Sequence, residues 1–208
     1  MSIAAGQTAG GSVGPTRRTN APRKRGDDTR ARIIDETVRC IVEEGFSAAT
    51  AKHVAERAGV TWGVIQYHFG DRNGLLMAVV DDGVDRLIDS LSSADVSALP
   101  LRQRIEAVVD TAWGCYSSPT SMAAFEILRA TRGGPGASPR RHLLEMNDAI
   151  GQLGRLITTD PANAGVAEVI WATLRGVVLA QMVTGTAVDW SLERRALIDM
   201  VTRYLSDG

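Results

Sequence analysis

From Asp28 onward, apolar residues recur every three or four positions, and almost no segment shows the two-residue alternation of a half-buried strand. Spacing of three and four places the apolar side chains on one face of an α-helix. The sequence therefore predicts an all-α protein. The periodic stretches are short before about residue 73 and longer after it, so we expect a small N-terminal helical domain followed by a larger one.

Turn and cap residues separate these stretches. Gly45 and Gly59 each follow an apolar stripe, where a glycine with positive φ commonly ends a helix. Thr50 and Thr61 each precede a short stripe and predict helix N-caps. A loop is expected at Gly133–Gly136, and Asp160 with Pro161 indicates a helix start. The predicted helices cover about 28–44, 50–57, 61–69, 73–92, 105–116, 119–128, 139–157, 162–185 and 191–206.

Charge is distributed unevenly along the chain although the formal net charge is only -1. Residues 1–75 carry 11 Lys and Arg against 8 Asp and Glu, whereas residues 76–208 carry 12 against 16. An N-terminal excess of cations favours contact between that part and a polyanion. Residues 1–26 are poor in large apolar residues and predict a disordered basic tail. The tail either follows DNA phosphates or the minor groove, or has no fixed partner.

The segment Thr50–Leu76 predicts a helix-turn-helix. Two short helices cross steeply when the residue at closest approach is small and the turn contains a residue with positive φ, and Ala55 and Gly59 supply these conditions. The second helix of such a unit enters the major groove of DNA. A plain helical hairpin is the alternative. It does not explain why polar and amphipathic residues crowd one short helix and its exit: Thr61, Trp62, Gln66, Tyr67, His68 and Arg72.

This segment resembles the tetracycline-repressor (TetR) family of transcriptional regulators over residues 28–76. The residues that match the family pattern are Thr50, Val54, Ala55, Ala58, Gly59, Val60, Thr61, Gly63, Tyr67, His68, Phe69 and Leu75. The resemblance implies a helix-turn-helix DNA-binding domain over 27–72 and an effector-binding and dimerisation domain over 73–208. It further implies a cytoplasmic homodimer that binds operator DNA, most simply a repressor released from a palindromic operator by a small-molecule effector. Activation would leave the same sequence pattern.

The resemblance also implies which residues contact the DNA backbone. Thr50 and Thr61, as helix caps, would bring hydroxyl and backbone N–H groups to phosphates. Tyr67 and His68 would hold the flanking backbone, which orients the protein without reading sequence. Arg72 stands where the family usually has Lys and would contact phosphate in the same way.

The groove-facing residues implied by the resemblance are Trp62, Gly63, Val64 and Gln66. Gln66 can bond adenine through two hydrogen bonds and Val64 can meet a thymine methyl group, so these two are expected to read sequence. Trp62, Val64 and Gln66 all depart from the residues that the family usually has there. The operator sequence of relatives is therefore not transferable to this chain.

The second domain is expected to enclose the effector pocket between about residues 73 and 159. Large adaptable side chains are its candidate liners, although each also fits plain core packing. These candidates are Trp113, Tyr116, Met122, Phe125, Met146 and Trp171. The last two helices, 162–185 and 191–206, predict a dimer interface because the first is apolar around much of its circumference. Internal packing within a monomer is the alternative.

Other functional classes find little support in the sequence. Cys40 and Cys115 lack metal-ligand spacing and are expected to be reduced core thiols, with no metal and no cofactor. No stretch approaches the roughly 18 uncharged apolar residues of a membrane span. No catalytic motif is evident, so we expect no enzyme. Two alternatives stay open: a regulator-like protein that acts only through protein partners, and an all-α enzyme that uses the pocket.

Overall fold

A computed structural model of the chain describes residues 21–93, 95–131, 148 and 151–207, with side chains described from Gly26 onward. Every regular element in these residues is helical, which confirms the predicted all-α fold. The helices are α1 (Ala21–Glu44), α2 (Ala51–Arg57), α3 (Trp62–Phe69), α4 (Arg72–Ser92), α5 (Leu101–Tyr116), α6 (Pro119–Ala130), α7 (described over 151–157), α8 (Gly165–Thr184) and α9 (Ser191–Ser206).

The predicted helix ends agree with the observed caps. Gly45 and Gly59 have φ values of 86° and 63°, as a glycine after a helix requires. The Thr50 side chain accepts a hydrogen bond from the His53 backbone N–H at 3.2 Å and so caps α2. These boundaries were predictable because each depends on residues close together in the chain.

The start of α1 differs from the prediction. The helix begins at Ala21, so residues 21–26, which the sequence assigned to a disordered tail, are helical. Their lack of apolar residues hid the helix, yet Arg and Lys are good helix formers and Pro22 suits a first turn. Residues 1–20 lie outside the described residues, as do the loop expected at 133–136 and the first part of the helix expected over 139–157.

Two buried clusters make up the core. The N-terminal cluster joins α1, α2 and α3 to the first half of α4 and to two residues of α6, Ala123 and Ile127. The C-terminal cluster joins the second half of α4 to α5, α7, α8 and α9. Val80 is the last α4 residue of the first cluster and Leu87 the first of the second. α4 therefore runs through both cores as one continuous helix.

The helical stretch Pro161–Thr184 is apolar enough to cross a membrane by length and composition alone, with a mean hydropathy of 1.5. The sequence analysis expected no such stretch because Glu168 and Arg175 interrupt it. Core helices of soluble proteins pass the same test, and 33% of the stretch is buried within this chain. Much of its apolar surface is thus not covered by the described residues.

We expect Gly74→Ala to destabilise the fold at the junction of α3 and α4. A Cβ at this position would lie 2.0 Å from the Phe69 carbonyl oxygen. Because that oxygen belongs to the backbone, the junction must shift, at a cost of about 1–3 kcal/mol. Urea unfolding followed by circular dichroism measures this change in the free energy of unfolding.

The matched control for that substitution is Gly114→Ala, in the interior of α5. Nothing lies within 4 Å of a Cβ built there. Replacing an unconstrained helical glycine with alanine stabilises a helix by up to about 1 kcal/mol. Equal unfolding midpoints for the two variants would contradict the tight junction.

Candidate nucleic-acid interface and effector cavity

One face of α3 is buried and the opposite face is exposed. Ile65 is fully buried in the N-terminal core. Trp62 and Tyr67 are 47% and 85% exposed, and Gly63 and Gln66 are exposed beside them. Residues four apart on a helix lie on the same side. The exposed residues therefore form one continuous surface along α3.

The remaining predicted contact residues occupy the edges of this surface. Thr61 is exposed in the N-cap position of α3, and its hydroxyl makes no capping hydrogen bond. Val64 is half-buried and packs against the N-terminal core, which limits its reach outward. His68 is half-buried, with its ring centroid 5.0 Å from that of Tyr67. Thr50 is exposed at the start of α2.

Arg72 has a structural role that the sequence did not indicate. Its Nε donates to the Ala49 carbonyl at 2.7 Å and one terminal nitrogen donates to the Phe46 carbonyl at 3.2 Å. Its guanidinium carbon lies 4.8 Å from the centroid of the Phe46 ring. These contacts tie the start of α4 to the connection between α1 and α2. A phosphate contact by Arg72 remains a prediction, and it would have to use the rest of the guanidinium.

A polar network fastens α2 to the end of α1. His53 Nε2 lies 2.9 Å from one Glu44 carboxylate oxygen, and Arg57 donates to the other oxygen and to Glu43. The contact with His53 is the main reason that the pKa of Glu44 falls below its ordinary value. The bond to Glu43 and that to Glu44 raise the pKa of Arg57. This network fixes α2 and therefore the platform on which α3 rests.

Two cations near α3 were missed by the sequence analysis. Lys52 is exposed in the first turn of α2, with its side chain 88% accessible and 4.0 Å from Glu56. The Arg30 guanidinium carbon lies 5.5 Å from the centroid of the Phe69 ring. Lys52 follows the capping Thr50 by two residues, and this position could have indicated an exposed cation at the start of α2. The position of Arg30 over the Phe69 ring depends on how α1 crosses α3, which no local sequence pattern specifies.

A narrow, apolar cavity lies in the second domain between α4, α5, α6 and α8. The described residues that line it are Val80, Gly83, Val84, Leu87, Tyr116, Ser121, Ala124, Phe125, Leu128 and Trp171. Tyr116 makes ring contacts with both Phe125 and Trp171, at centroid distances of 4.9 and 4.4 Å. Burial raises the pKa of Tyr116 to about 12, with Arg175 acting in the opposite direction. Tyr116 therefore keeps its hydroxyl proton at neutral pH.

The predicted pocket residues divide into two groups. Tyr116, Phe125 and Trp171 line the cavity. Trp113 does not, because its ring packs against Trp190 at 4.6 Å between α5 and α9. Met122 lies in a separate surface groove beside Val42 of α1. Met146 lies outside the described residues.

An exposed apolar stripe runs along α8 and continues on α9. On α8 the positions 169, 172, 176, 180 and 183, with Leu179 beside them, carry no charge, and Val169, Leu179 and Val183 are 54%, 59% and 78% exposed. On α9, Met200 and Tyr204 are 62% and 58% exposed. A groove between the two helices is lined by apolar side chains of both. α9 is also joined to α5 by the pair of Arg194 with Asp110 at 2.6 Å.

A short helix with a solvent-facing polar and aromatic surface, held by two supporting helices, defines this domain as a helix-turn-helix. Residues 33–79 match the family model of bacterial regulatory proteins, tetR family. The helix-turn-helix thus carries the sequence of that family, and the described helices share the fold of a TetR-family regulator.

Curated relatives match over part of the chain. The HTH-type transcriptional regulator BetI of Escherichia coli O17:K52:H18 is 40% identical over 84 residues, which are 39% of this chain and 43% of BetI. The matched stretch thus spans less than half the length of these relatives.

Solved structures resemble both domains. The TetR-family regulator PfmR from Thermus thermophilus has a TM-score of 0.64 at 13% identity, covering 83% of this chain and 97% of PfmR. The multidrug binding protein EbrR complexed with ethidium has a TM-score of 0.58 at 23% identity, covering 82% of this chain and 96% of EbrR. At these identities the likeness concerns the fold alone.

Proposed function

We propose that this chain is a dimeric transcriptional regulator whose α3 binds operator DNA and whose cavity binds a small effector that releases it. The observation that carries the proposal is the outward face of α3. Trp62, Gln66 and Tyr67 are exposed there although two of them are aromatic. Exposed aromatic side chains clustered on one face mark an interaction surface. The half of α3 that follows Thr61 fits the width of a major groove.

Dimerisation supplies the second half of the proposal. The stripe on α8 and α9 is too long and too apolar for a solvated helix pair, and a second copy would cover it through a two-fold contact. The two α3 helices of such a dimer bind one operator together only when their spacing is a multiple of about 34–36 Å, one turn of DNA. Any movement that changes this spacing changes operator affinity.

The cavity is placed to produce such a movement. Val80, Gly83, Val84 and Leu87 of α4 line it, and Val80 also belongs to the N-terminal core. A ligand larger than the narrow cavity would displace α4, which carries the helix-turn-helix. An effector that binds the displaced arrangement more tightly shifts the population away from the DNA-binding spacing. We therefore favour repression that is relieved by ligand.

The chemistry of the effector follows from the polar groups at the cavity. Trp171 is 1% exposed, and its Nε1 has no hydrogen-bond partner among the described residues. Ser121 already donates to the Cys115 carbonyl at 2.8 Å. No charged side chain is among the described lining residues. We propose an apolar effector that carries a hydrogen-bond acceptor for Trp171 and no positive charge.

The DNA-binding proposal predicts different effects for two neighbouring α3 residues. Gln66→Ala should relax base preference at one position of each half-site, because one good base contact contributes about 1–3 kcal/mol of discrimination. Tyr67→Phe should weaken binding to all sequences alike, because a phosphate contact reads no sequence. Selection from a randomised operator library, followed by binding titrations, measures both effects.

Salt dependence provides the control for that experiment. Wild-type affinity for its own upstream region should fall steeply as salt rises, since binding releases counterions from phosphates. Absence of any salt-sensitive shift would favour a regulator-like protein that acts through protein partners. A change in base preference with Tyr67→Phe but not with Gln66→Ala would show that the two roles are assigned the wrong way round.

The dimer proposal predicts that Met200→Glu separates the subunits. A two-fold contact places two copies of the new carboxylate in one apolar interface, where unpaired charges are strongly unfavourable. Light scattering after size exclusion should show a shift from two chains to one. Trp62→Glu, a comparably exposed position on α3, should remain dimeric. A wild-type mass of one chain at every concentration would exclude the interface.

The effector proposal predicts a loss specific to the indole N–H. Calorimetry with 2-naphthaldehyde, an apolar acceptor, should give roughly tenfold weaker binding to Trp171→Phe than to wild type, the loss expected for one hydrogen bond. Naphthalene, which has no acceptor, should bind both proteins equally. Trp113→Phe is the matched control and should bind both probes as wild type does. An equal loss of both probes would mean that Trp171 acts by packing alone.

A further inference from the structure

Three side chains with metal-binding groups meet where α1 and α2 cross. Cys40 and Glu44 lie four residues apart on α1 and therefore on one face of that helix, and His53 faces them from α2. The Cys40 sulfur, a Glu44 carboxylate oxygen and a His53 ring nitrogen all lie within 4.8 Å of one another. Nothing in the DNA-binding or effector role uses these groups together.

We propose that Cys40, Glu44 and His53 form a binding site for Zn²⁺ that locks α2 against α1. Thiolate sulfur, imidazole nitrogen and carboxylate oxygen are the ligands that zinc prefers, at about 2.0–2.3 Å. Ligand atoms of a tetrahedral zinc are thus roughly 3.5 Å apart. To reach that geometry, the sulfur would have to move inward and the 2.9 Å contact between His53 and Glu44 would have to open slightly.

The existing ion pairs are compatible with the metal. Arg57 binds one Glu44 oxygen and His53 contacts the other, so zinc takes the position between Glu44 and His53 while Arg57 stays. Arg57 also keeps its bond of 2.7 Å to Glu43. The metal therefore replaces the hydrogen bond between His53 and Glu44 with a bridge through zinc, and it leaves the ion pairs of Arg57 in place.

The local charge also favours a dication. Three carboxylates act electrostatically on the thiol, those of Glu36, Glu43 and Glu44. Two guanidinium groups pair with them: Arg57, and Arg39, which lies 2.7 Å from Glu36. One negative charge is left over, and a Cys40 thiolate adds a second. On binding, the sulfur–zinc bond replaces the S–H bond, the proton passes to solvent, and no oxidation state changes.

Cobalt provides the direct test, because tetrahedral Co²⁺ bound to a thiolate has a strong charge-transfer absorption. Titration of the full chain with Co²⁺ should produce this band with a stoichiometry of one ion per chain, and Zn²⁺ should abolish it. Cys40→Ala should remove the band, and His53→Gln should weaken Co²⁺ binding by roughly tenfold or more. The matched controls Cys115→Ala and His68→Gln should behave as wild type.

A second measurement covers the case in which a variant fails to fold. Zn²⁺ should raise the midpoint of thermal unfolding of wild type and Cys115→Ala, since a ligand that binds the folded state stabilises it. Glu44→Gln changes an exposed side chain without changing its size, and it should lose most of that rise. No thiolate band in wild type, or an equal band in folded Cys40→Ala, would overturn the proposal and leave an ion-pair network only. Neither result depends on DNA binding.

Discussion

The continuity of α4 is the constraint on which the rest of the structure depends. Its first half is buried with α1, α2 and α3, and its second half is buried with α5 and the last helices. A helix packed in two close-packed cores cannot bend freely between them, because interiors transmit strain rather than absorb it. The two domains therefore share one continuous helix, and under the proposed function a change at the cavity would reach the helix-turn-helix as a change in orientation.

How that change reaches α3 depends on the short connection after Phe69. Gly70 has a φ of 79°, which lets the chain reverse between α3 and α4. Asp71 caps α4 by accepting from the Gly74 N–H at 2.8 Å, and Arg72 binds the carbonyls of the α1–α2 connection. The start of α4 is thus capped by its own Asp71 and hydrogen-bonded to the α1–α2 connection. α1, α2 and α3 should move with α4 as one body rather than individually.

Signals between neighbouring residues predicted most of the fold, whereas contacts between distant residues account for most of what the sequence missed. Thr50 caps α2 through a residue three positions away, and the outward residues of α3 were those that the family resemblance implied. The start of α1 was wrong because a helix without an apolar face leaves no periodic signal. Helical periodicity also could not show that Trp113 lies outside the cavity, because Trp113 packs against Trp190, a residue distant in the sequence. Cys40 and His53 meet only because α1 and α2 cross, which no spacing rule for zinc sites encodes.

The two proposed ligands would act on different junctions of the same domain. The proposed effector would displace α4 and change where the whole helix-turn-helix lies. The proposed zinc ion would join α1 to α2 and change how firmly the helix-turn-helix holds its own shape. Coupling between ligands requires that each favours one arrangement over the other. Because Arg72 makes the α1–α2 connection part of the body that moves with α4, a stiffer α1–α2 junction transmits more of the α4 displacement to α3. Zinc should therefore enlarge the change in DNA affinity that the effector produces, and it should not produce that change by itself.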